Sequence, residues 1–146
     1  MGKKDYLKYF RLARYYVRSK YKLKLDDLEM LLYLYSEGYF SRKVFHEYNQ
    51  VMKWQKKRME RLIDEGWISV FREKTKGRRA LYHLSHKSKC MIANFYNILD
   101  GGLITTNKNY NPMFHNDATY TDKVFRNAIK KRNAIIKQQQ HPSQKL

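Results

Sequence analysis

The chain has 146 residues, with thirty-one Lys and Arg against thirteen Asp and Glu, a formal net charge of +18 and one cysteine. That length suits a single domain with appendages; the lone Cys90 excludes an intrachain disulfide framework, and no apolar run reaches the eighteen residues a transmembrane helix needs. Charge of this size repels itself unless a polyanion is the partner, and its spread through Lys3, Lys4, 11–24, 53–61, 72–79 and 123–137 favours nucleic acid over a small acidic ligand, which needs only one basic pocket. For the N-terminal segment alone, a basic helix lying on a membrane surface is the competing reading. Met1 to Asp5 lacks the apolar segment of a signal peptide and fits the myristoylation pattern poorly, so a cytoplasmic protein with no membrane partner is expected, in a bacterial cell or a phage-infected host.

From Tyr6 to Tyr21 the residues Tyr6, Phe10, Ala13 and Val17, with Tyr9 and Tyr16, recur at helical spacing, while Lys8, Arg11, Arg14 and Arg18 take other faces. This predicts an amphipathic helix over 1–22, serving either packing or self-association. Leu25-Asp26-Asp27-Leu28 opens a second helix with acids at its positive end, and Leu28, Leu31, Leu32 and Tyr35 form its expected buried face before Glu37-Gly38 ends it. Ser41 is the expected N-cap of a short third helix, with Val44, Phe45 and Tyr48 inward.

A cationic helix is then expected from about Val51 to Glu65, with Val51, Gln55, Met59, Leu62 and Ile63 nearest the core. In that register Lys53, Trp54, Lys56, Lys57 and Glu60 are exposed. Lys53, Trp54 and Lys57 reach furthest toward bases, and Arg61 meets phosphate. Trp54 reads equally as a partly buried packing residue. The helix stops at Gly66 and runs into two alternating segments, Trp67–Phe71 and Ala80–Leu84, joined through Lys74-Thr75-Lys76-Gly77. The hairpin tip holds Arg72, Lys74, Lys76, Arg78 and Arg79 with only Glu73 to balance them, which points to phosphate contact. A further helix is expected from about His86 to Leu99. Residues 103–119, rich in Asn, then read as a polar linker or arm. A basic helix over 120–137 and a disordered tail over 138–146 complete the chain.

Two short helices, a basic helix and a basic-tipped hairpin make a winged helix-turn-helix pattern over 23–85. The expected fold is mainly α with a small β-hairpin, a winged helix-turn-helix flanked by N- and C-terminal helices. The stretch Leu25–Ser85 resembles the MarR family of winged-helix regulators, carried by Leu28-Glu29-Met30-Leu31-Leu32-Tyr33-Leu34, Arg61-Leu62-Ile63-Asp64-Glu65-Gly66-Trp67-Ile68 and Gly77-Arg78-Arg79-Ala80, with Tyr82-His83-Leu84-Ser85 similar to the PadR exit. The recognition helix is more basic than is usual in that family, and Lys76 or Gly77 stands where an acid normally opens the wing-tip motif. The resemblance implies a homodimer on double-stranded DNA, with 1–22, 86–102 and 120–137 as dimer helices. It also implies a small-molecule effector pocket, which no residues here mark.

On that reading the DNA-binding residues are Lys53, Trp54, Lys56, Lys57 and Arg61 on the recognition helix, Ser41, Arg42 and Lys43 on the preceding helix, and Arg72, Lys74, Lys76, Arg78 and Arg79 on the wing. The alternative function is non-specific nucleic-acid binding, as a phage, nucleoid or RNA-associated component. No paired carboxylates, nucleophile elbow or phosphate-binding glycine loop marks an enzyme, and no cofactor is expected. His83, His86 and Cys90 have spacing compatible with a metal, but an ordinary strand histidine, helix-start histidine and buried cysteine explain them better.

Overall fold

A computed structural model describes residues 6–140. Six helices and one hairpin follow in order: α1 (Tyr6–Tyr21), α2 (Leu25–Glu37), α3 (Arg42–Val51), α4 (Arg58–Asp64), β1 (Ile68–Arg72), β2 (Leu81–Leu84), α5 (His86–Leu99) and α6 (Tyr120–Gln140), with a 3-10 turn at Pro112–Phe114. The fold class is therefore mainly helical with a small antiparallel hairpin. Among the described residues no helix is long and apolar enough to cross a membrane. The chain divides into two compact units, Lys24–Ala93 and a second built from 1–23 with 94–146.

In the Lys24–Ala93 unit, α2 buries Leu28, Met30, Leu31 and Leu34, whereas Tyr35, expected inside, is 47% exposed. The buried face is turned toward Asp27, which is drawn inward by two arginines described below. Ser41 caps α3, its hydroxyl accepting from the Val44 amide at 3.4 Å, and Phe45 is fully buried. Val51, expected in the core, ends α3 and is 82% exposed.

The expected helix over 51–65 forms only from Arg58. Residues 52–57 are irregular, so Lys53, Trp54, Lys56 and Lys57 lie on a loop and not on a recognition helix. Two causes act together. Lysines at 53, 56 and 57 would repel each other at i,i+3 and i,i+4 spacing, and side chains from both flanking helices hold the loop in its unwound form.

α4 ends as the sequence suggests. Gly66 takes a left-handed φ of +84°, its amide donates to Ile63 O at 3.0 Å, and the Trp67 amide donates to Leu62 O at 2.9 Å. This is a Schellman closure.

The hairpin pairs Ile68 with Leu84, Ser69 with His83 and Val70 with Tyr82, then shifts so that Arg72 faces Leu81. Phe71 is the extra residue of this bulge and lies exposed against Tyr39 and His83. Phe40 exchanges both backbone hydrogen bonds with Tyr82, at 2.9 and 2.8 Å, adding a one-residue bridge to the outer edge of β2. The tip closes through Thr75 and Arg78, with Gly77 at φ +82°.

In the other unit α1 buries Leu12, Ala13, Tyr16 and Val17. Tyr15 stacks on Phe125 at 4.2 Å and donates to Asp122 at 2.6 Å. The segment 103–119 is not a free linker: Ile104, Asn111 and Met113 are buried in it. Asparagines in it and on α6 substitute for missing secondary structure. Asn133 of α6 accepts from the Ile104 amide and donates to the Ile104 carbonyl, and Asn111 caps the 3-10 turn. Of the expected tail, 138–140 continue α6, and 141–146 lie outside the described residues.

Candidate nucleic-acid interface

Every residue expected at the interface belongs to the Lys24–Ala93 unit. Its scaffold is a buried polar network. Arg58 is 2% exposed and donates to Asn49 Oδ1 at 2.6 Å and to the Lys53 carbonyl at 2.8 Å, with Asp27 Oδ1 3.4 Å from its Nε. Asn49 in turn donates to the Gln55 carbonyl at 3.0 Å. Arg61 makes a two-pronged pair with Asp27, both contacts at 2.9 Å, and also donates to the Gln55 side chain at 2.6 Å and to Glu65 at 3.4 Å. The hydrogen bond that Arg61 donates to Asp27 raises the pKa of Arg61 against the lowering effect of burial.

The guanidinium of Arg61, expected on phosphate, is thus committed to holding α4 against α2 and the loop. Arg58, Asp27, Asn49 and Gln55 were not assigned any such role from the sequence. The available signal was that Arg58 precedes Leu62 by one helical turn, on the buried side.

With Arg58 and Arg61 engaged, the exposed side chains of α4 and its C-cap are Glu60, Asp64 and Glu65. The outer face of this short helix is acidic. Exposed cations lie on the neighbouring segments: Lys53, Lys56 and Lys57 on the loop, Arg42 and Lys43 on the first turn of α3, and Lys74, Lys76, Arg78 and Arg79 at the hairpin tip. Among the described residues none of these except Arg42 has a carboxylate within ion-pair distance.

Arg42 pairs with Glu60 at 2.9 Å and lies over the Tyr82 ring at 5.6 Å. Burial alone would lower its pKa, but hydrogen bonds to Glu60 and Tyr82 outweigh that and leave it raised. Glu60 is held below the ordinary carboxyl value, first by the hydrogen bond from its own backbone amide and then by Arg42. Arg72 is half-buried and braces the hairpin by donating to the Arg79 carbonyl at 2.9 Å.

The fold brings two of the expected groups together. Ser41, Arg42 and Lys43 face Lys74, Arg79 and Tyr82 across a groove of about 570 Å³, with Glu73 its one acid. The open amides at the start of α3 add partial positive charge there. The loop lysines and Trp54 do not line this groove. Trp54 is 56% exposed and borders a separate cleft of about 90 Å³ with Lys24, Asp26 and Asp27.

The metal reading finds no constellation. Cys90 is exposed, not buried as expected, with its Sγ 3.3 Å from His86 Nε2, while His83 packs beside Tyr39 and Phe71. Among the described residues no group of three His, Cys, Asp or Glu is placed to hold a metal ion. The chain matches no family model, no curated protein and no solved structure.

Proposed function

We propose that the protein binds nucleic acid mainly through the phosphate backbone, with the Lys24–Ala93 unit supplying an organised contact surface. The observation that carries this reading is the division of charge in that unit. Arg58 and Arg61 are used internally, α4 presents acids, and most of the exposed cations with no ion pair among the described residues gather on the loop 53–57, at Lys43 and at the hairpin tip, the others being Lys24, Lys87 and Lys89. Point charges on lysines and a helix start suit phosphates, which are the same along any sequence. Lys43, Lys74 and Arg79 across the groove provide one backbone seat, and Lys53, Lys56 and Lys57 another.

A dimeric, sequence-selective regulator of MarR-like type is the second reading, favoured by the order of three helices and a hairpin and by the bridge of Phe40 to β2. On that reading the duplex is gripped by the wing and the α3 start while residues 52–57 approach the major groove. Fluorescence anisotropy over a salt series separates the two. The backbone reading expects the duplex upstream of the protein's own gene and a scrambled duplex to bind within about threefold of each other and to weaken together as salt rises. A hundredfold preference that survives physiological salt would replace it with the regulator.

A further inference from the structure

Trp54 stands out among the exposed aromatic residues because of where its ring is held. The sequence Lys53-Trp54-Gln55-Lys56-Lys57 places the largest apolar side chain among three exposed cations. The backbone on either side of it is fixed: the Lys53 carbonyl accepts from Arg58, the Gln55 carbonyl from Asn49, and the Gln55 side chain from Arg61. Arg58 and Asn49 are themselves buried, so the loop is anchored from within the unit.

Among the described residues no aromatic ring stacks on Trp54 and no cation lies over it. The cleft beside it, about 90 Å³, is far below the several hundred Å³ of pockets that enclose ligands. What the site offers is an exposed ring on an anchored backbone, with lysines on both sides in sequence.

Resting on the nucleic-acid reading above, we infer that Trp54 is a stacking platform for an unpaired base, with Lys53, Lys56 and Lys57 holding the phosphates that flank it. The ligand class is a single-stranded segment of DNA or RNA. Every base has a π-face, so a ring within a cationic stretch binds single strands with little regard to sequence. In a duplex the same faces are occupied by neighbouring base pairs. The anchored loop loses little conformational freedom on binding, which is the advantage of holding the ring in advance.

The second tryptophan makes the test direct. Trp67 is 2% exposed, with Lys87 Nζ 3.9 Å above its ring, so quenching by a bound strand reports Trp54. The full chain is titrated at fixed salt with oligo-dT, oligo-rU, an abasic strand of the same length and a blunt duplex. Emission is expected to be quenched strongly by the two base-bearing strands and weakly by the abasic strand and the duplex; whichever of oligo-dT and oligo-rU quenches at lower concentration identifies the strand.

Trp54→Ala is expected to lower affinity for the base-bearing strands about five- to a hundredfold and to leave duplex affinity within about twofold. Trp54→Phe keeps most of the single-strand affinity. Because Trp54 is exposed, unchanged denaturation midpoints confirm that both variants fold. Equal quenching by the abasic strand, or an equal loss for duplex and single strand in Trp54→Ala, overturns the stacking role while leaving backbone binding intact. Failure of every oligonucleotide to bind overturns both.

Discussion

Asp27 shows how one residue decides what its neighbours are free to do. Its carboxylate, 4% exposed, faces Arg61 twice at 2.9 Å and Arg58 at 3.4 Å, and so removes both guanidiniums from any ligand. Breaking a buried pair from one side strands the other charge, at a cost of about 3–5 kcal/mol. Asp27→Ala is therefore expected to lower stability by that order in urea denaturation, and a loss below about 1 kcal/mol would contradict the network.

Glu60 has the opposite consequence, because it occupies Arg42 at the edge of the basic groove. Glu60→Gln is expected to tighten duplex binding several-fold by releasing Arg42 and removing a charge that repels phosphate; unchanged or weaker binding would show that Arg42 makes no contact. The folded pKa of Glu60 lies below its ordinary 4.5, so its stabilising contribution is present above that pH and is lost as pH falls through the folded value. Both partners are about half exposed, so the pH effect on stability is small, and Glu60→Gln abolishes it.

Two stretches with little or no regular structure, 52–57 and 103–119, are both held by side chains that take over backbone hydrogen bonding. In the first, Asn49 and Arg58 supply donors to carbonyls that a continuous helix would have used internally. In the second, Asn133 meets both the amide and the carbonyl of Ile104, which is 1% exposed. Leaving either group unsatisfied costs about 1–3 kcal/mol. Asn133→Ala is thus expected to lower stability by about 2 kcal/mol or more, and faster amide exchange at Ile104 would locate the loss. A neutral result would mean that solvent replaces both bonds.

Positive charge is unevenly shared over the whole molecule. Residues 1–23 and 94–146 hold sixteen of the thirty-one Lys and Arg but only four of the thirteen acids, so they carry about two-thirds of the net charge. On α6 the exposed Lys123, Lys130 and Lys137 recur every seven residues and form one stripe. A nucleic acid that engages only the loop, groove and hairpin tip neutralises roughly five to eight phosphates, for a log–log salt slope of about −5 to −7 on a duplex. Reversing the α6 stripe to Glu is expected to make that slope shallower by about 2 to 3 if the helix also meets phosphate. An unchanged slope would confine binding to the Lys24–Ala93 unit.

Composition and periodicity determined much by themselves. The strong positive charge follows from the composition, the helix stop at Gly66 from the need for a left-handed residue, the hairpin from alternation, and the cap at Ser41 from its hydroxyl. These are local or summed properties, and a linear sequence carries them directly. Only the tertiary structure decided which cations are free. From sequence, Lys57 is expected toward bases and Arg61 on phosphate, both free to meet a ligand, but Asp27, thirty-four residues before Arg61, comes within 2.9 Å of Arg61 and, among the described residues, pairs with no exposed lysine. Side-chain contacts to its backbone, from Arg58 to the Lys53 carbonyl and from Asn49 to the Gln55 carbonyl, hold 52–57 unwound where periodicity indicated a helix, because a buried guanidinium takes its hydrogen bonds wherever the fold offers them.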